Sequence, residues 1–272
     1  MRLHGAVALV TGAGGGIGSA LAERFAREGV RTIVLVDIDE EALQRTARRV
    51  GRAGAEAVER RVDVSSATDM EALAASVRAG VGVPDIIVNN AGVGVAGPFL
   101  QTPLRDLQRV VDVNLWGVVH GCRLFGAQLA ERGRGGHIVN VASAAAFAPS
   151  TILPAYGMTK AAILMLSECL RVELAPRGVG VSAVCPGIVS TDIVHRAVYV
   201  GENERAIEAR RRASVRIYRL RRYPPERVAA RIVDAIRHNT AVVPVTAEAR
   251  LLRAVSRLAP GVNRRVAALI RM

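Results

Sequence analysis

Tyr156 and Lys160 are the pair in this chain best suited to proton chemistry. The residues after them, AAILMLSECLRVELA, repeat apolar positions at helical spacing, which predicts the two side chains one turn apart on one helix face. A phenol is a poor acid or base at neutral pH, its ordinary pKa being about 10. A nearby ammonium favours the phenolate and is expected to lower that value toward the working range. Lysine suits this task better than the broad arginine fork, because its charge is compact. Of 37 basic residues in the chain, Lys160 is the only lysine, so its place four residues after a tyrosine carries weight.

A second constellation lies near the start. Thr11-Gly12-Ala13-Gly14-Gly15-Gly16-Ile17-Gly18 follows an apolar run and opens a helical pattern. Such a turn needs glycine for positive φ and for close backbone approach, and the helix start beyond it offers free N–H groups to a phosphate. Gly12, Gly14, Gly16, Ile17 and Gly18 are therefore candidate binders of a dinucleotide pyrophosphate. Asp37 comes 19 residues after Gly18, at the end of the next apolar run. A carboxylate there suits both hydroxyls of an adenosine ribose and repels a 2′-phosphate, which favours NAD over NADP. The other reading of Asp37 is a helix cap for residues 40–50.

These groups need a scaffold that brings strand ends together. Apolar, β-branched runs at 6–10, 32–36, 86–88, 137–141, 179–184 and 242–245 alternate with helical patterns such as 20–28 and 40–50. Continuous apolar strands fit a parallel sheet covered on both faces. The alternation predicts a single-domain, doubly wound α/β Rossmann fold of about seven strands. Pro225 suits the first turn of a late helix.

In combination these motifs resemble the short-chain dehydrogenase/reductase family, densely over residues 5–195 and more loosely to about 246. The resemblance adds Asp63 and Val64 as adenine contacts and Asn89-Asn90-Ala91-Gly92 as the segment bracing the sheet beside the cofactor. It reads Asn114, Ser143, Tyr156 and Lys160 as a complete catalytic tetrad, and Pro186, Gly187, Ile188, Val189 and Thr191 as the turn holding the nicotinamide carboxamide. It implies that Tyr156 exchanges the hydroxyl proton and that Ser143 hydrogen-bonds the substrate oxygen. Lys160 would bind the nicotinamide ribose and tune Tyr156, and Asn114 would position a water on the proton path. It also implies a substrate lid over about 190–225 and a homodimer or homotetramer through the helices after Pro103 and Tyr156. The expected activity is hydride transfer between NAD and a secondary alcohol or ketone. The alternatives are an NADP-dependent carbonyl reductase and a non-catalytic nucleotide-binding scaffold. Val93, Val95, Phe147 and Leu153, with Ser143 and Tyr156, would line the substrate pocket; the apolar members favour a steroid-, terpenoid- or fatty-chain-like substrate.

Composition bounds the rest. Half the residues are hydrophobic but only 3% aromatic, so Ala, Val, Leu and Ile build the core. No apolar run reaches the roughly 18 residues of a membrane span, and the start of the chain carries no leader pattern. Three cysteines without metal-ligand spacing read as buried reduced thiols, and no metal site is expected. Together these imply a cytoplasmic protein. Residues 195–272 hold 18 Arg against 6 acidic residues, whereas residues 1–194 hold 19 basic against 18 acidic. The positive excess therefore lies in the lid and in a C-terminal extension, 247–272, where Leu251, Leu252, Val255 and Leu258 share a helical face. Such a basic amphipathic segment suits docking on a partner or on the body of the domain, or an anionic membrane surface. Nucleic acid is disfavoured, because the tail lacks a recognised motif and stacking aromatics.

Overall fold

A computed structural model of the chain describes residues 1–269; the last three residues of the 247–272 extension lie outside them. The first half runs β1 (Val7–Thr11), α1 (Gly16–Arg27), β2 (Thr32–Asp37), α2 (Glu40–Arg52), β3 (Glu56–Arg61), α3 (Ala67–Gly80), β4 (Ile86–Asn89), β5 (Val95–Ala96), α4 (Leu104–Val111) and α5 (Gly117–Arg132). The second half runs β6 (Gly136–Val141), α6 (Pro154–Leu174), β7 (Val179–Cys185), α7 (Ile193–Arg196), β8 (Val198–Tyr199), α8 (Glu204–Arg221), α9 (Pro225–His238), β9 (Val242–Pro244), α10 (Ala247–Leu258) and α11 (Pro260–Leu269).

Seven strands form one parallel sheet in the order β3-β2-β1-β4-β6-β7-β9. Successive residues of each central strand feed opposite faces, as a period of two requires. Ala8 and Val10 join Leu21, Phe25, Leu43 and Ile232 in the core under α1, α2 and α9. Leu9 joins Met70, Val77, Phe125 and Ile163 in the core under α3, α5 and α6. Burying each such large side chain contributes about 1.5–3 kcal/mol. The chain reverses its direction across the sheet between β1 and β4, which opens a crevice at their carboxyl ends.

Three features differ from expectation. β3, EAVERR, does not read as a strand because it lies at the sheet edge with both faces partly wet, and charged residues replace the apolar run. Asp39, rather than Asp37, caps α2, its Oδ1 accepting from the Ala42 N–H at 3.0 Å. Cys122 and Cys185 are buried thiols, but Cys169 is exposed on α6.

Candidate active site

The glycine turn is fixed from two sides. Gly12 has φ +65°, and a Cβ there would lie 2.8 Å from the Ala91 Cα. A Cβ on Gly18 would run into the Gly12 carbonyl oxygen. Thr11 Oγ1 accepts from the backbone N–H groups of Asn90 and Ala91 at 3.0 and 3.1 Å, and Asn90 Nδ2 donates to the Thr11 carbonyl at 2.9 Å. These bonds staple the end of β1 to the end of β4 across the crevice. Gly15, the residue before α1, supplies no side-chain cap. The first-turn N–H groups at Gly16, Ile17 and Gly18 therefore face the crevice mouth without a side-chain acceptor, an arrangement that fits a pyrophosphate.

Asp37 closes the same turn. Its Oδ2 accepts from the Gly14 N–H at 2.8 Å and its Oδ1 from the Asp39 N–H at 3.1 Å. Each carboxylate oxygen keeps a second lone pair for ribose hydroxyls. Two cations lie close by, of which sequence reading did not single out Arg61. Arg61 Nε donates to the Ile38 carbonyl at 3.4 Å, and Arg196 stands 3.8 Å from the Asp39 carboxylate. Arg61 faces Asp37 in the strand register, which is invisible until β3 is recognised. Further along the crevice, Asp63 Oδ1 accepts from the Ser65 N–H and hydroxyl, and Val64 is buried against Gly117.

Four polar side chains gather beyond the turn. Asn114 is fully buried in a five-residue π-helical turn, Asp112–Trp116, between α4 and α5. Its Oδ1 accepts from the Val93 N–H at 2.8 Å and its Nδ2 donates to the Val93 carbonyl at 3.0 Å. Thr159, buried on α6, bridges the Tyr156 carbonyl and the Asn114 amide. Ser143 lies two residues past β6 and caps a short 3-10 turn, accepting from the Ala145 N–H at 3.2 Å. Its hydroxyl also bonds Tyr156. Lys160 is buried, with Nζ donating to the Val141 carbonyl at 2.9 Å and lying 5.5 Å from the centre of the Tyr156 ring. Gly92 is adjacent to both, since a Cβ there would be 3.2 Å from Asn114 Oδ1 and 3.6 Å from Lys160 Nζ.

Electrostatics here run against one expectation. Burial pushes the Tyr156 phenol above its ordinary value, the nearby Tyr218 phenol adds to the rise, and the Ser143 hydrogen bond opposes it. The Lys160 ammonium lies beside the ring and donates to the Val141 carbonyl, and the net shift of the phenol is upward. Burial also depresses the Lys160 ammonium to about 8. The Cys185 thiol, which accepts from the Ser143 N–H, is pushed up by burial to about 12 and stays protonated.

The turn after β7 carries Pro186, Gly187, Ile188, Val189 and Thr191. Val189 is buried, and the Thr191 side chain packs against Gly16, so this turn closes over the glycine turn. The Ile188 N–H donates to Glu248 Oε1 at 3.3 Å, and the other oxygen of Glu248 pairs with Arg221. A residue of α10 thus reaches the turn, a link that no local sequence signal announces. Among the apolar candidates, Val95 is buried with Val110 and Ala155, and Phe147 is buried with Ile163 and Cys185. Val93 and Leu153 keep exposed surface. Val95 and Phe147 are therefore core residues, while Val93 and Leu153 are partly exposed.

A crevice at the strand-order reversal, a glycine turn at a helix start and a polar group around Tyr156 define a dinucleotide-binding, doubly wound α/β protein. The chain belongs to the short chain dehydrogenase family, whose profile matches residues 6–199. It is 48% identical over 262 residues to "Probable oxidoreductase EphD" of Mycobacterium tuberculosis, covering 96% of this chain but only 44% of that relative's length. It is 37% identical over 191 residues to "3beta-hydroxysteroid dehydrogenase 1" of Eggerthella lenta, covering 70% of this chain and 73% of the relative. A short chain dehydrogenase/reductase from Burkholderia phymatum, solved in complex with NAD, is similar in structure with a TM-score of 0.86 and 34% identity over 96% of this chain and 95% of that one.

Proposed function

We propose that this chain moves a hydride between a nicotinamide cofactor, NAD before NADP, and a lipophilic secondary alcohol or ketone, with Tyr156 as the acid/base. The observation that carries the reading is the Ser143–Tyr156 hydrogen bond with the Lys160 ammonium beside the same ring. When bound, the nicotinamide gives or takes the hydride. The chain supplies placement and protons. Tyr156, held neutral by burial, gives its hydroxyl proton to the carbonyl oxygen in reduction and takes it back in oxidation. Ser143 donates to the same oxygen and stabilises the charge developing there. Lys160 binds the nicotinamide ribose and carries the positive charge that favours a transient phenolate. Asn114 is a positioning residue that locks Val93 beside the site and holds a water on the proton path.

Gly12, Gly14, Gly16, Ile17 and Gly18 hold the pyrophosphate, Asp37 the adenosine ribose, and Asp63 with Val64 the adenine. Asn90, Ala91 and Gly92 brace the cofactor, and the 186–191 turn takes the carboxamide. Residues 1–246 form the cofactor-binding and catalytic domain, with 190–225 as its lid, and residues from 247 form an extension. Val93 and Leu153, backed by Val95 and Phe147, favour an apolar substrate. The assembly is a homodimer or homotetramer through α4, α5 and α6, where Leu104, Trp116, Met165 and Val172 are exposed. On α10, Leu251 and Leu258 are exposed beside Arg250 and Arg257, a face suited to a partner subunit or an anionic membrane. No helix among the described residues is long and apolar enough to cross a membrane.

NADP is the second reading, favoured by Arg61 and Arg196 close to the ribose end. Titration of Trp116 fluorescence with NADH and NADPH, on wild type and Asp37→Ala, tests the assignment. Tighter NADH binding that Asp37→Ala abolishes supports it. Tighter NADPH binding makes the chain an NADP-linked reductase, and binding of neither removes the dehydrogenase reading.

A further inference from the structure

The segment after β9 closes on two loops of the candidate site. Val245, between β9 and α10, donates its N–H to the Cys185 carbonyl at 3.1 Å, which fixes where α10 starts. Thr246 then caps α10, its Oγ1 accepting from the Ala249 N–H at 3.4 Å. Ala249 is fully buried, and Leu252 packs against the core that holds Phe147, Ile163 and Cys185. The inner face of α10 therefore rests on its own domain, while Leu251 and Leu258 stay exposed.

Two polar side chains of this extension grip those loops. Glu248 Oε1 accepts from the Ile188 N–H at 3.3 Å, and its other oxygen pairs with Arg221, the last residue of α8. A Cβ on Gly187 would run into the Glu248 carboxylate and the Thr246 hydroxyl, so the 186–191 turn and the start of α10 are in close contact. On α11, Asn263 is buried and its Nδ2 donates to the Phe147 carbonyl at 2.8 Å. Phe147 ends the short turn that Ser143 caps. The two loops are also bonded to each other, since the Ala144 N–H donates to the Pro186 carbonyl at 2.7 Å. Glu248 on one loop and Asn263 on the other thus brace a pair already joined between them. A bond to an ionised acceptor, as at Glu248, is among the stronger holds a side chain can place on a backbone N–H.

We propose that the C-terminal extension is a working part of the active site, in which Glu248 holds the nicotinamide turn and Asn263 holds the Ser143 loop, each as a positioning residue. The proposal rests on reading the 186–191 turn as the seat of the carboxamide and Ser143 as the donor to the substrate oxygen. Displacing either loop by about 1 Å misaligns hydride donor and acceptor, which can cost roughly 10²-fold in rate. Arg221 extends the brace to the end of the lid, so the hold on the nicotinamide turn depends on where α8 ends.

Calorimetric titration with NADH and with ADP-ribose, which lacks the nicotinamide, tests the proposal on the full chain and its Glu248→Ala, Glu248→Gln and Asn263→Ala variants, with thermal melts as the check on folding. Glu248→Ala should weaken NADH by about tenfold, as loss of one bond to a charged group implies, and leave ADP-ribose affinity unchanged. Glu248→Gln keeps an acceptor for the Ile188 N–H and should lie closer to wild type. Asn263→Ala should lower kcat for a ketone by about tenfold or more with NADH affinity retained, because it acts on the Ser143 side. Equal loss of NADH and ADP-ribose in Glu248→Ala would make the residue merely structural and overturn its role, as would NADH affinity equal to wild type. Unchanged kcat in Asn263→Ala overturns the other half. Failure of the dehydrogenase reading shows instead in wild type: binding of neither NADH nor ADP-ribose removes both claims, whereas binding without turnover of any ketone removes the activity and the Asn263 role and leaves the paired titrations to decide Glu248.

Discussion

The Lys160 ammonium stands 5.5 Å from the centre of the Tyr156 ring, one helical turn further along α6. It is turned toward the Val141 carbonyl at the end of β6, to which it donates at 2.9 Å. The lysine therefore ties the helix bearing the phenol to the strand that leads to Ser143. Its charge is held in a buried place where water does not screen it, which costs stability and strengthens its field on the site.

That cost gives a pH signature. The Lys160 ammonium falls from an ordinary 10.5 to about 8 in the folded chain, through burial. Between these values the unfolded chain holds a proton that the folded chain has released, so stability rises with pH across the window. Urea unfolding of wild type and Lys160→Met at pH 7 and pH 11 should show the difference between them shift by about 3 kcal/mol in favour of wild type at the higher pH. A difference independent of pH would place the ammonium in water rather than under the ring.

Asn114 satisfies both backbone groups of Val93 and is completely buried. Asn114→Ala leaves that N–H and C=O without partners and should cost about 3 kcal/mol, read as a lowered urea midpoint at unchanged slope. Turnover should fall with it, because Val93 follows Gly92, where a Cβ would lie 3.6 Å from Lys160 Nζ.

Two glycines of the same turn should respond differently. Gly18→Ala drives a methyl group into the Gly12 carbonyl and should destabilise by about 1–3 kcal/mol while abolishing NADH binding. Gly15 has extended backbone, and a Cβ there meets nothing within 4 Å, so Gly15→Ala should leave the unfolding midpoint nearly unchanged. Calorimetric NADH titration and thermal melts of both variants check the pair.

Much of the fold was legible because the central strands are buried on both faces and must be written in Val, Ile, Leu and Ala. β3 escaped because an edge strand is free to carry Glu and Arg, and with it went the placement of Arg61 opposite Asp37. The glycine turn was readable from its residues alone, since only glycine survives where Ala91 and the Gly12 carbonyl press in. The raised Tyr156 phenol was not, because residue types reveal a neighbouring charge but not how deeply a ring is buried or where an ammonium points. Glu248 was hidden for a simpler reason: it meets Ile188 across 60 residues, through the packing of α10.

The most direct test of the account is turnover by wild type and Tyr156→Phe, followed as nicotinamide absorbance with NADH and a lipophilic ketone such as a ketosteroid. The account predicts measurable wild-type reduction and a loss of roughly 10²–10⁴-fold in kcat for Tyr156→Phe, with NADH affinity and melting temperature preserved. A Tyr156→Phe variant that bound NADH and reduced the ketone as fast as wild type would contradict it.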